Sequence, residues 1–335
     1  MTAAKPSWPR RRRVAIAVAV GLVALAGAAL LRTSTPHTWT SAARFVEYRM
    51  TDAQDAPIAI AAAADGTVWF TIDHADAIGR VQGGRIERLP TGGRNIEPVG
   101  LAVAVDGSAW YTDIAARAVA RVSSSGEISR FTVATPIARL GRLTTAPDGA
   151  VWFADSTGFS VTRLKDGVFT RHGIESPRGG PYGVATGPDG LVWATLQGGN
   201  QLLRIAPDGA ITAIDLPRPG AVPSDVAVGA DGSVWFLQFR ANRIGQLKDG
   251  KFADFEVAKE NAGLSGLAVA DDGAVWFGMM RRASLGRLRG GRIDMFPLPR
   301  ENARPYSLAV DREGNVWYAD ITGYVGMLPA RHARN

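Results

Sequence analysis

Not one of the 335 residues is cysteine. That excludes a disulfide framework, thiolate metal sites and a cysteine nucleophile, so packing and hydrogen bonds must hold whatever fold forms. Histidine is scarce too, with four residues. His37 follows an apolar segment, His74 sits in a loop, His172 ends an expected strand and His332 lies in the tail. No two of them stand at metal-ligand spacing, and the sequence predicts no metal site and no cofactor. A P-loop, a dinucleotide-binding glycine fingerprint, a nucleophile elbow and a zinc-protease motif are all missing. Acidic residues are absent from the first forty positions, which hold Lys5, Arg10, Arg11, Arg12, Arg13 and Arg32. The formal charge of +7 therefore belongs to a tail, and the remainder balances 32 basic residues against 31 acidic ones. Such a body is not expected to bind nucleic acid.

Long hydrophobic runs are absent except one. Val14 to Leu31 is eighteen residues without a charge, directly after four consecutive arginines. Its length lies at the short end of the spanning range, and its small-residue triplets fall inside the run. We read it as an N-terminal transmembrane signal anchor, a cleaved signal peptide being the alternative. The arginines hold their side of the helix in the cytoplasm. The expected organisation is a basic cytoplasmic region at 1–13, the anchor or signal at 14–31, a linker at 32–43, a folded body at 44–328 and a tail at 329–335. The body would then face the periplasm or exterior from the inner membrane, or be released there if the signal is cleaved.

Tryptophan recurs at positions 69, 110, 152, 193, 235, 276 and 317, with spacings of 41 or 42 residues. Ahead of each stands a turn dipeptide: Asp65-Gly66, Asp106-Gly107, Asp148-Gly149, Asp189-Gly190, Asp231-Gly232, Asp272-Gly273 and Glu313-Gly314. An Asp-Gly pair between apolar runs is a strong hairpin signal. Each repeat reads as four short strands, typified by Leu101-Ala102-Val103-Ala104 (strand a), Val151-Trp152-Phe153 (b), Ala77-Ile78-Gly79-Arg80-Val81 (c) and Ile128-Ser129-Arg130-Phe131 (d). Four strands in about 41 residues is the length of a propeller blade. The last repeat ends after its strand c, at Tyr324 to Leu328, and Arg44 to Arg49 matches the missing strand d. The fold class is therefore all-β, a seven-bladed β-propeller closed by an N-terminal outer strand. Identical residues in every blade cannot mark one site, so the tryptophans are assigned to packing between blades.

The motifs Pro181-Tyr182-Gly183-Val184, Trp69-Phe70-Thr71 and Ile78-Gly79-Arg80-Val81, repeated through all seven blades, resemble those of the virginiamycin B lyase (streptogramin lyase) family. The resemblance implies a magnesium-dependent enzyme that opens a cyclic depsipeptide by elimination. It also implies histidines opening strand a of the last two blades, with two glutamates nearby. At those positions this chain carries Ser265, Tyr306, Arg304 and Ile321. With the catalytic set replaced, the expectation is a ligand- or partner-binding propeller that needs Mg²⁺ only if lyase activity is retained. A divergent lyase is the alternative, and a lactonase-type hydrolase a second one.

Variable loops collect where strand d of one blade leads to strand a of the next, and where strand b leads to c. That face supplies the ligand-binding candidates Asp113, Asp155, Tyr182, Arg281, Arg304, Tyr306 and Asp320. Arginines beside aromatic residues suit an anionic or sugar-containing small molecule, or an acidic segment of a protein. The chain is expected to act as a monomer.

Overall fold

Each turn dipeptide makes the turn its chemistry allows. The seven glycines from Gly66 to Gly314 have φ between +76° and +85°, a region closed to most side chains. The preceding aspartate caps the turn from within: Asp65, Asp106, Asp148, Asp189, Asp231 and Asp272 each accept the backbone N–H two residues on, at 2.9–3.0 Å. In the seventh repeat Asp311 takes over, accepting from Asn315 N–H at 2.8 Å.

The computed structural model describes residues 37–39, 45–73, 75–92, 96–135, 138–175 and 179–334. The expected anchor at 14–31, Arg44 and His74 lie outside them. No helix among the described residues is long and apolar enough to cross a membrane. The strands form seven antiparallel sheets in a ring. Strands a to d are Ala56–Ala62, Val68–Asp73, Ala77–Gln82 and Arg85–Pro90 in blade one, and Pro98–Val103, Ala109–Asp113, Ala118–Val122 and Ile128–Thr132 in blade two. Strand a of blades three to seven is Leu140–Thr145, Pro181–Thr186, Pro223–Val228, Leu264–Val269 and Pro305–Val310. Every strand a touches the strand a of both neighbouring blades, blade seven meeting blade one, so these strands line the axis.

The tryptophans pack between blades, as their repetition predicts. Trp69 lies among Ala109, Tyr111, Ala120 and Val122 of blade two, Trp152 among Val184, Val192 and Leu203 of blade four, and Trp276 against Leu308, Val316 and Tyr318 of blade seven. Trp317 returns to Ile60, Val68 and Phe70 of blade one, which joins the ends of the ring. The glycine of strand c has a separate cause. Gly79, Gly245, Gly286 and Gly326 stand opposite Phe70, Phe236, Phe277 and Tyr318, whose rings lie 2.0–2.2 Å from where a Cβ would be. Blade four inverts the pair, with Ala194 opposite Leu203.

Val46–Arg49 pairs antiparallel with Tyr324–Leu328 and becomes strand d of blade seven. Tyr48 stacks on Trp317 at 6.0 Å, and Glu47 accepts from Arg300 Nε at 3.0 Å and from the Tyr318 hydroxyl at 2.8 Å. One feature was not foreseen: His37–Trp39, in the expected linker, runs parallel to strand d of blade six, Arg292–Pro297, as a fifth strand. The outer edge of that sheet has free N–H and C=O groups, which an extended segment can satisfy.

Two outcomes follow from these contacts. Glu47→Ala leaves the buried Tyr318 hydroxyl without an acceptor and Arg300 with only Asp320 and Thr322, and should lower the stability read from urea unfolding by about 2–4 kcal/mol; an unchanged midpoint would show that the seam is not held there. Several turn carboxylates are held below their ordinary range: Asp106 by Ser108 and Arg121, Asp148 by Ala150 N–H and Arg163 in spite of burial, and Asp231, down to about 2, by Lys248 and Ser233. Depressed carboxylates stabilise the fold fully above the unfolded value and lose that contribution as pH falls through the folded one. The thermal midpoint should therefore drop between about pH 4 and pH 2, and Asp148→Asn/Asp231→Asn should flatten that drop.

Candidate functional site

At the third position of strand a most blades need a small residue, because neighbouring strands approach closely at the axis. A Cβ on Gly100 would lie 2.6 Å from Leu143 N, and one on Gly183 2.8 Å from Ser224 O. Blades three and five place Arg142 and Asp225 at this position instead, and the two side chains meet inside the ring. Arg142 Nε lies 3.2 Å from Asp225 Oδ1, with the side chains 15% and 10% exposed. The Nε–H makes no hydrogen bond, so the contact is an ion pair without good donor geometry. Asp225 also accepts Val226 N–H at 3.1 Å and Leu267 N–H of blade six at 3.0 Å.

Two tyrosines complete the cluster. Tyr182 and Tyr306, at the second position of strand a in blades four and seven, lie close enough to each other and to Arg142 for their charges to interact. The electrostatics are those of a closed, self-neutralising group. Burial opposes the Arg142 charge, but Asp225 and the two tyrosines overcome it and hold the guanidinium charged. Burial pushes the Asp225 carboxyl up in spite of Arg142 and two N–H donors. Tyr182 and burial together push the Tyr306 hydroxyl well above its ordinary range.

Ser265 has a structural task. In blades two and four, Thr112 and Thr195 of strand b donate to a strand-a carbonyl of the next blade, Gly141 O at 2.8 Å and Ser224 O at 3.1 Å. Blade six has Gly278 in that place, and the Ser265 hydroxyl makes the inter-blade bond to Pro305 O instead.

Of the sequence candidates, the structure brings together Tyr182 with Tyr306 at the axis and Asp320 with Arg304 at the blade-seven loop. Asp113, Asp155 and Asp320 are buried at the ends of strand b, where they tie the b-to-c turn to the incoming loop. Asp113 accepts Glu97 N–H at 3.2 Å and Ala116 N–H at 3.1 Å; Asp155 accepts Arg139 N–H at 3.1 Å and Gly158 N–H at 2.9 Å. Asp320 accepts Arg304 N–H at 3.0 Å and Thr322 N–H at 2.9 Å, and pairs with Arg300. Arg281 and Arg304 are exposed on the loop face, and Ile321 is half-buried beside Arg304, donating its N–H to Arg304 O at 3.3 Å. Arg142 and Asp225 were missed from sequence. The signal available was a break in the repeat: Leu140-Gly141-Arg142 and Pro223-Ser224-Asp225 lack the glycine of Pro181-Tyr182-Gly183.

A profile of the virginiamycin B lyase family matches residues 37–164 and 130–332. The chain belongs to that family. A virginiamycin B lyase of Nocardia farcinica is 34% identical over 164 residues, 48% of this chain and 55% of that protein, so the match spans about half its relative's length. One from Saccharopolyspora erythraea is 47% identical over 38 residues, 11% of this chain and 13% of that one. Among solved structures, a catalytically inactive virginiamycin B lyase from Staphylococcus aureus with quinupristin superposes with a TM-score of 0.81 at 25% identity, covering 85% of this chain and 99% of that chain. YCF48 bound to a D1 peptide, at 11% identity and a TM-score of 0.68, covers 88% of this chain and 98% of that one and shares the fold alone. Within the family, then, this chain carries an Arg142–Asp225 pair capped by two tyrosines on its axis.

A buried pair is costly to break and cheap to replace. Arg142→Leu should lower stability by about 3–5 kcal/mol by leaving Asp225 buried and uncompensated, whereas Arg142→Leu/Asp225→Leu should recover most of that loss. Simple additivity of the two single changes in urea unfolding would mean that the side chains do not interact.

Proposed function

We propose that this chain is a binding propeller of the virginiamycin B lyase family in which the lyase centre has been replaced by a closed polar cluster. The observation that carries the reading is Tyr306, held beside Tyr182 over the Arg142–Asp225 pair at a position where the family resemblance places a histidine. Elimination requires a base for the proton α to a carbonyl and a cation for the enolate. Tyr306, pushed above its ordinary range, is less ionised at neutral pH than free tyrosine and so less available as a base. Ser265 is engaged with Pro305 O, Ile321 has no acceptor side chain, and Arg304 is a cation. This set does not fit Mg²⁺: its four residues offer no imidazole or carboxylate, the neighbouring Asp225 carboxylate is taken up by Arg142 and two backbone N–H groups, and the Arg142 guanidinium repels a second cation. The apolar run at 14–31 and the arginines before it support an anchor with the propeller on the far side of a membrane.

The test is direct. The purified full chain, incubated with quinupristin and Mg²⁺, should leave the antibiotic at its original mass and chromatographic position. A ring-opened product in mass spectrometry, absent from a Tyr306→Phe control, would establish the divergent lyase instead.

A further inference from the structure

Many arginines of the ring have an acid close by. Arg121 pairs with Asp106, Arg163 with Asp148, Arg243 with Asp254 and Glu256, Arg287 with Asp294, and Arg300 with Glu47 and Asp320. On the loop face of blades five to seven, four arginines without such a partner lie on neighbouring loops. Arg240, Arg281 and Arg304 are exposed and Arg282 is half-buried, and among the described residues none of their side chains has an ion pair or hydrogen bond. The loops that carry them are stitched into one surface. Arg240 N–H donates to Ala221 O at 3.2 Å, Asn242 bonds Ala258 O and Glu260 O, Arg281 N–H donates to Ala262 O at 3.0 Å, and Asp320 holds Arg304 N–H. Fixed backbones under unpaired cations make a preorganised electrostatic surface.

The spacing selects the ligand. Arg240 and Arg281 each stand five residues after the blade tryptophan, so they are equivalent positions in adjacent sheets. Packed sheets lie roughly 10 Å apart, which sets the order of the distance between successive cations. A lone carboxylate or phosphate cannot reach across three blades at that spacing. An extended peptide advances about 3.3 Å per residue, so carboxylates three residues apart come into register with successive arginines. Glu260 and Glu301, both exposed on the same loops, sit among the cations. They repel an unbroken line of negative charge, while a peptide with spaced carboxylates can avoid them.

We propose that the loop face of blades five to seven docks an extended acidic segment of a partner protein, whose carboxylates Arg240, Arg281, Arg282 and Arg304 engage. This assigns the ligand class of the binding propeller and rests on that reading. Arginine suits the role because its planar donor fork meets a carboxylate in bidentate fashion.

A fluorescent peptide of about 15 residues with glutamate at every third position and glycine or serine between, in register with the roughly 10 Å blade spacing, tests it by anisotropy against the full chain. Binding should weaken as salt rises, and Arg240→Glu/Arg281→Glu/Arg304→Glu should raise the dissociation constant by about tenfold or more. Arg85→Glu/Arg204→Glu/Arg312→Glu changes net charge equally at exposed arginines elsewhere, and should leave binding unchanged. Equal loss in both triple variants, no binding at low salt, or tighter capture of inorganic polyphosphate or phosphatidylglycerol vesicles would overturn the docking surface. Those results bear on the surface alone. Ring opening of quinupristin by the same preparation would overturn the parent reading, so the two failures are distinguishable.

Discussion

A ring of seven sheets has no free end, and that closure is the constraint on which the rest of the structure depends. Each blade buries one face by receiving the tryptophan of the blade before it, so the last tryptophan, Trp317, must find the first blade. The chain solves this by splitting blade seven, whose outer strand comes from the N-terminal side of blade one. Glu47 on that strand, Arg300 in the loop before blade seven and Tyr318 within the blade fasten the seam. Because the seam and the Arg304 loop share Asp320, the same contacts that close the ring also fix part of the loop face.

Closure crowds the axis, and crowding explains the candidate site. Seven first strands converge where a small residue is the default, so a large side chain at that position must find room across the ring. Arg142 and Asp225 do so by pairing with each other, with Tyr182 and Tyr306 beside them. Charges that would be unfavourable singly become tolerable as a neutral group with backbone donors on the carboxylate. The family architecture is kept around this cluster.

Much of this was legible in the sequence, because a propeller repeats its instructions. The tryptophan spacing, the Asp-Gly turns and the displaced outer strand each follow from a local rule applied seven times. The strand-c glycine was visible as a motif, but its cause, the ring of Phe70 or Phe277 lying over it, needs the cross-strand register. The site was less legible because it is made of exceptions. Arg142 and Asp225 are single departures from a small-residue position, 83 residues apart by their numbering, and only ring geometry brings them together. Asp113, Asp155 and Asp320 read as a ligand set since they recur at one place, yet recurrence there reflects a shared turn-tying task. The parallel strand at His37–Trp39 has no signal in a sequence that treats 32–43 as linker.

The central claim is that Tyr306 closes the axis instead of presenting a reactive group, and its hydroxyl can be followed by ultraviolet titration. Absorbance near 295 nm, compared between the chain and Tyr306→Phe, isolates one tyrosine among the six. The account predicts identical reversible titration through about pH 11, with the Tyr306 signal appearing only when the propeller unfolds. A difference of one ionising tyrosine near pH 10 would contradict it, because a hydroxyl with ordinary behaviour is open to solvent and free of the Arg142–Asp225–Tyr182 cluster.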